Sequence, residues 1–163
     1  MSGPAQNDAS VIVRRLGPGD AVLGAESVRL LKAPDGYPIP SVADLTAFLS
    51  RADNVLVVAV DGGAPVGYLV AYLLDRIDRE QKMMFFYEIG VAESHRRRGV
   101  GTRLVTELKS ICRTEDVMKM WVPTGRSNIA ATRLYSSTGG FPLPSGDEVT
   151  YEYRRESFMD ATE

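Results

Sequence analysis

A chain of 163 residues with 44% hydrophobic and 25% charged residues has the make-up of one globular domain, which excludes a disordered or collagen-like chain. One cysteine excludes a disulfide scaffold, and one cysteine with one histidine leaves too few ligands for the usual zinc sites, so no metal is expected. Lys+Arg 19 against Asp+Glu 21 argues against a nucleic-acid binder, and no apolar run approaches the ~20 residues of a membrane span. The lone thiol and the absence of a signal-like start at Met1 to Asp8 point to a reducing, cytoplasmic compartment.

The predicted elements follow in chain order. Residues 1–10 read as a flexible tail, residues 11–158 as one domain and residues 159–163 as a second tail. Alternation over Val11 to Arg15 predicts a short strand, closed by Leu16-Gly17-Pro18-Gly19-Asp20. Ala21 to Lys32 reads as a helix with Val22, Val28 and Leu31 among its apolar positions. Three prolines and a glycine make 33–40 a loop, and Ser41 caps a second helix with Leu45, Phe48 and Leu49 inward.

Asn54 to Val60 and Pro65 to Leu74 are strands joined by a hairpin turn at Asp61-Gly62-Gly63-Ala64. After a charged loop, Met83 to Val91 is another strand. Gly99 opens a helix whose apolar face is Leu104, Leu108, Ile111 and Cys112. Val117 to Val122 is a strand. Ser127 or Asn128 caps a helix with Ala131, Leu134 and Tyr135 inward, closed by Gly139-Gly140. Val149 to Tyr153 is the last strand. The order β-α-α-β-β-β-α-β-α-β predicts an α/β domain, a mixed sheet with helices on both faces.

The stretch from Glu88 to Thr102 carries the chemistry. A buried strand ends at Val91, a loop with Arg96, Arg97 and Arg98 follows, and Gly99 and Gly101 lead into a helix. Glycines let backbone amides approach a ligand closely. A helix start adds unpaired amides and a positive dipole end. Together they make a pyrophosphate cradle. A dinucleotide fold wants its glycines after the first strand with an acid about 20 residues on, which this chain lacks. A Walker loop is excluded, since no Gly-Lys-Ser/Thr occurs.

Arg96-Arg97-Arg98-Gly99-Val100-Gly101 resembles the Arg/Gln-x-x-Gly-x-Gly/Ala signature of the GNAT acetyltransferases, which hold acetyl-coenzyme A by its pyrophosphate. Asn128 to Phe141 is similar to the second signature of that family, Asn-x-x-Ala-x-x-Leu-Tyr-x-x-x-Gly-Phe. The resemblance implies the GNAT fold, with a mixed, mostly antiparallel central sheet, over nearly the whole chain. Arg15 to Pro18, Val66 to Tyr72, Tyr87 to Val91 with His95 to Arg97, and Asp147 to Tyr151 further resemble aminoglycoside 3-N-acetyltransferases of the GNAT type, which act in antibiotic resistance. The implied reaction is direct acetyl transfer from acetyl-CoA to an amine of a polycationic small molecule, in a ternary complex. A homodimer is implied as well. Acetylation of another small amine or a protein amine, and a non-catalytic acyl-CoA-binding module, stay open.

Roles follow from the chemistry. Glu88 sits in a strand otherwise made of apolar and aromatic residues, on the face of Phe86 and Gly90 and opposite Tyr87 and Ile89. Apolar surroundings favour a protonated carboxyl and suit a general base; binding an ammonium group is the alternative. The resemblance assigns cofactor contacts to Ile89, Gly90, Val91, Arg96, Arg97, Arg98, Gly99, Val100, Gly101, Thr102, Asn128, Ala131 and Tyr135. It also gives Tyr135 the leaving thiolate, and it places Asp147 and Glu148 beside the acceptor. Asp75, Asp78, Glu80 and Glu152 are further acids that a polycation can meet. His95 reads as a loop residue and Cys112 as core.

Overall fold

The computed structural model describes residues 10–143 and 148–159, with the backbone alone over 148–150. Asp147 and nearly all of the two expected tails lie outside the described residues. The elements in order are β1 (Ile12–Arg15), α1 (Ala21–Leu31), α2 (Val42–Leu49), β2 (Asn54–Asp61), β3 (Ala64–Leu74), β4 (Lys82–Val91), α3 (Val100–Thr114), β5 (Val117–Gly125), α4 (Ile129–Ser137), β6 (Phe141–Leu143), β7 (Glu148–Arg154) and α5 (Glu156–Met159).

Local chemistry accounts for most of them. Gly62 and Gly63 both take positive φ, 56° and 86°, the conformation a two-residue turn between β2 and β3 requires. Ser41 Oγ accepts from Asp44 N at 3.1 Å while Asp44 Oδ2 accepts from Ser41 N at 3.1 Å, a reciprocal cap that starts α2. The apolar face of α3 is buried as its spacing predicted. In α1 the buried residues are Ala21, Gly24 and Ser27, and the apolar Val22 is 69% exposed. Small residues mark the inward side because α2 lies close: a Cβ on Gly24 would stand 2.9 Å from Leu45 Cδ1.

Two short elements were missed. β6 is three residues at the sheet edge around Pro142, where a missing amide costs no ladder bond. α5 buries Phe158. β5 also runs past Val122 to Gly125, held by its pairing with β7 rather than by strand propensity in Pro123-Thr124-Gly125.

The seven strands lie in the order β1-β2-β3-β4-β5-β7-β6. Every neighbouring pair is antiparallel except β4 and β5, which are parallel and joined through α3. One face carries α3, Tyr135 of α4 and Phe158 of α5 over Leu69, Ala71, Met84, Phe86 and Met120. The other carries α1 and α2 over Leu56, Val58 and Tyr68. The mixed, mostly antiparallel sheet with helices on both faces is the expected α/β architecture.

Candidate active site

Pairing between β4 and β5 is confined to Lys82–Phe85 on the β4 side. β3 follows β4 as far as Val91, and β7 follows β5 to Gly125. Past Phe85 the two halves of the sheet part, so Ile89, Gly90 and Val91 have a ladder partner on one side only. A strand edge with free backbone amides can receive a carbonyl oxygen and an amide-bearing arm.

From β4 the chain enters a short 3₁₀ turn, Glu93–His95, and then α3. Arg97 (φ 59°) and Gly99 (φ 78°) both take left-handed backbone. Gly99 is the N-cap, and its carbonyl accepts the amide of Arg103 at 3.0 Å. The amides of Val100, Gly101 and Thr102 precede the first helical donor, Arg103 N, and lie at the positive end of a 15-residue helix. A Cβ on Gly101 would lie 3.3 Å from Leu134 Cδ2, so α3 packs tightly on α4 here. These residues fit a pyrophosphate: the donors are backbone amides at the positive end of α3. Arg96 Nε donates to Val91 O at 3.1 Å, fastening the loop to the end of β4. His95 Nε2 lies 3.1 Å from Asp61 Oδ2, and Ser94 Oγ lies 2.8 Å from His95 Nδ1. His95 therefore ties the loop to the β2–β3 hairpin, the loop role read from sequence. The hydroxyl of Ser10, and then His95, hold the Asp61 carboxyl below the usual carboxylate range.

Glu88 departs from the expected geometry. Val70 pairs with Glu88 but Ala71 pairs with Phe86, so Tyr87 is the extra residue of a β-bulge. The bulge breaks the alternation on which the prediction rested. Phe86 and Ile89 belong to the α3 side. Glu88 shares the α1/α2 side with Val70, Tyr68 and Gly90, and the Tyr87 ring meets Tyr72 on that same side. Gly90 and Ile89 lie as predicted; Phe86 and Tyr87 do not.

Nor are the surroundings of Glu88 purely apolar. Lys32, the C-cap of α1, donates Nζ to Glu88 Oε1. The two side chains are 17% and 24% exposed. The same ammonium lies 4.7 Å from the Tyr37 ring centroid and 5.6 Å from that of Tyr68, within cation–π range. Burial first, and then the Glu88 charge, push the Tyr68 hydroxyl up. Lys32, Tyr68 and Glu88 border a cavity of about 330 Å³ whose lining also includes Phe48, Tyr72 and Tyr87. From its wall the rings run in a row: Phe48 to Tyr72 at 6.2 Å, Tyr72 to Tyr87 at 5.8 Å, Tyr87 to Phe85 at 5.8 Å and Phe85 to Trp121 at 5.3 Å.

Tyr135 faces inward from α4, 4% exposed, between Phe86 (5.5 Å) and Tyr151 (5.4 Å). Burial pushes its hydroxyl up to about 12. Ala131 and Leu134 pack on the same core. Asn128, rather than Ser127, is the cap: its side chain accepts from Ala131 N at 3.1 Å, so that oxygen is committed to the helix. Burial pushes the Cys112 thiol up to about 12 and keeps it in the core. Asp78 pairs with Arg76, and Glu152 with Lys119 and Arg154. Glu148 starts β7 opposite Gly125; Asp147 lies outside the described residues.

Sequence reasoning missed Lys32, Tyr37 and the aromatic row. Lys32 read as the last residue of a helix, and nothing in its neighbourhood points to a carboxylate 56 positions away. The density of Tyr and Phe in β3 and β4 was the one available signal for the row.

Residues 25–141 match the Acetyltransferase (GNAT) family, and the chain belongs to it. Over 83 residues it is 31% identical to the L-2,4-diaminobutyric acid acetyltransferase of Shouchella clausii (strain KSM-K16), covering 51% of this chain and 45% of that protein, so the match spans less than half the length of that curated relative. Its fold is that of an aminoglycoside acetyltransferase from an uncultured soil metagenomic sample, solved with sisomicin: TM-score 0.78, 21% identity, 86% of this chain and 95% of the other. A second aminoglycoside acetyltransferase from an uncultured soil metagenomic sample has a TM-score of 0.70 and 26% identity over 84% of this chain and 99% of that one.

Proposed function

We propose that this acetyltransferase modifies a primary amine of an aminoglycoside, at the 3-amino group, by direct transfer from acetyl-CoA in a ternary complex. The observation that carries the reading is the bulge. It turns Glu88 into an open cavity at the point where the β4 edge loses its β5 partner. An acceptor ammonium on Glu88 loses its proton to the carboxylate. The amide at Val91, which points away from β3, polarises the carbonyl under attack, and Tyr135 donates a hydrogen bond to the departing sulfur. A thiol has a pKa near 8.5 and the Tyr135 hydroxyl stands at about 12, so full proton transfer is uphill and the hydrogen bond is the useful contribution. The cosubstrate supplies an activated acetyl group; its pyrophosphate is held by the backbone from Arg97 to Thr102.

Support for an amino-sugar acceptor comes from the aromatic row beside Glu88, which offers broad ring faces and cation–π contacts. The names of the solved relatives point the same way. Asp147 and Glu148 add negative charge at the acceptor cleft in this reading. A second reading has its own observation. Lys32 and Glu88 form a matched cation and anion in one cavity, the pair that a zwitterionic diamino acid would meet with its carboxylate and its amine, and the curated relative is named for such a substrate. Thiol release measured with sisomicin and with L-2,4-diaminobutyrate decides between them. Higher kcat/KM for sisomicin supports the first reading; higher kcat/KM for the diamino acid replaces it with the second.

A further inference from the structure

The group that touches Glu88 in the folded chain is itself a primary amine. Lys32 Nζ is hydrogen bonded to Glu88 Oε1, between the Tyr37 and Tyr68 rings, in the cavity that the acceptor would enter. If Glu88 is the base for acceptor amines, an amine on that carboxylate stands where an acceptor stands. We infer that Lys32 is an internal acceptor and that the enzyme acetylates its own Lys32 when acetyl-CoA is bound and the cavity holds no substrate. The inference rests on the role proposed for Glu88.

The step balances. The Lys32 ammonium gives one proton to Glu88, which passes it to solvent. The neutral Nζ attacks the thioester carbonyl, the new N–C bond replaces the C–S bond, and the second nitrogen proton ends on the coenzyme A sulfur. The product is an uncharged amide, so Glu88 loses its internal cation and the cavity its built-in competitor. The chain has three other lysines, Lys82, Lys109 and Lys119. Lys82 and Lys119 are also paired with carboxylates, Glu115 and Glu152, and Lys109 donates to Thr138 O. None of the three lines the Glu88 cavity, so they serve as controls for non-enzymatic acetylation.

The test is to incubate the full chain with acetyl-CoA alone and locate acetyl groups by peptide mass spectrometry. The expected result is acetylation of Lys32 at least about tenfold faster than of the other lysines, because the amine is held in place. The rate constant should not depend on protein concentration, and Glu88→Gln should lower it by roughly 10²–10⁴. Acetyl-CoA binding by that variant, followed by calorimetry, should persist. Equal labelling of all four lysines, or a Lys32 rate unaffected by Glu88→Gln, overturns the inference. If external amines are acetylated while Lys32 is not, self-acetylation fails and the proposed function stands. If acetyl-CoA binds and neither Lys32 nor any external amine is acetylated, the role of Glu88 fails, and the inference fails with it.

Discussion

Gly90→Ala adds one methyl group at a place with no room for it. Gly90 and Tyr68 are direct cross-strand partners, and the Tyr68 ring covers the glycine. A Cβ there would stand 2.4 Å from Tyr68 Cε1, 3.0 Å from Cζ and 3.2 Å from Cδ1. Carbon atoms rest at about 3.5–4.0 Å, so the ring must retreat by about 1 Å. Tyr68 is 8% exposed and packed in the core beneath α1 and α2. Overpacking of this kind costs about 1–3 kcal/mol, or about 2–12 °C of Tm for a chain of this size. The retreat also moves one wall of the Glu88 cavity and the ring beneath Lys32, so KM for an amine acceptor should rise. Scanning calorimetry and thiol-release kinetics read both effects. The double variant Gly90→Ala, Tyr68→Val removes the ring, and the two stability costs should be less than additive. Wild-type Tm and KM for Gly90→Ala, or full additivity in the double variant, would refute the reasoning.

Other outcomes follow from the same geometry. Tyr135→Phe keeps the contacts to Phe86 and Tyr151 and removes a hydrogen bond worth roughly 1.5–3 kcal/mol to a charged sulfur; kcat should fall about tenfold to a hundredfold with acetyl-CoA affinity unchanged. Burial holds the Tyr135 hydroxyl at about 12 against 10.0 for the free group, so its contribution to stability is complete below pH 10 and lost as the pH rises to 12. The loss is about 2–3 kcal/mol, and urea titrations should find it smaller by that amount in Tyr135→Phe. Gly101→Glu crowds Leu134, 3.3 Å from its Cβ, and adds a negative charge in the first turn of α3, so calorimetry should detect no acetyl-CoA binding in a folded protein. Neutralising Asp147 and Glu148 together should weaken sisomicin binding more at low salt than at high salt, while acetyl-CoA affinity holds.

The elements with strong local signals were legible in the sequence: the turn at Gly62-Gly63, the cap at Ser41, the apolar face of α3 and the two motifs around Gly99 and Tyr135. What was not legible depended on contacts distant in the chain. Strand alternation assumes an unbroken ladder, and the extra residue at Tyr87 reverses the relation between Phe86 and Glu88. No propensity encodes that bulge, because it is a property of how β4 meets β3. The Lys32 to Glu88 pair arises only once α1 is packed on the sheet. β6 and the end of β5 are strands by virtue of β7 beside them, so their residues carry little signal of their own. The buried side of α1 carries little apolar signal, because close approach to Leu45 there selects Gly24 rather than a larger apolar residue.

The claim at the centre of this account is that Glu88, turned into the acceptor cavity by the bulge, is the base for acetyl transfer. Its most direct measurement is the turnover of Glu88→Gln with saturating acetyl-CoA and sisomicin, beside wild type, under conditions where chemistry limits. The account predicts that kcat falls by roughly 10²–10⁴ while acetyl-CoA affinity is kept. A loss confined to KM would make Glu88 an ammonium-binding residue instead, and unchanged kcat and KM would contradict both roles.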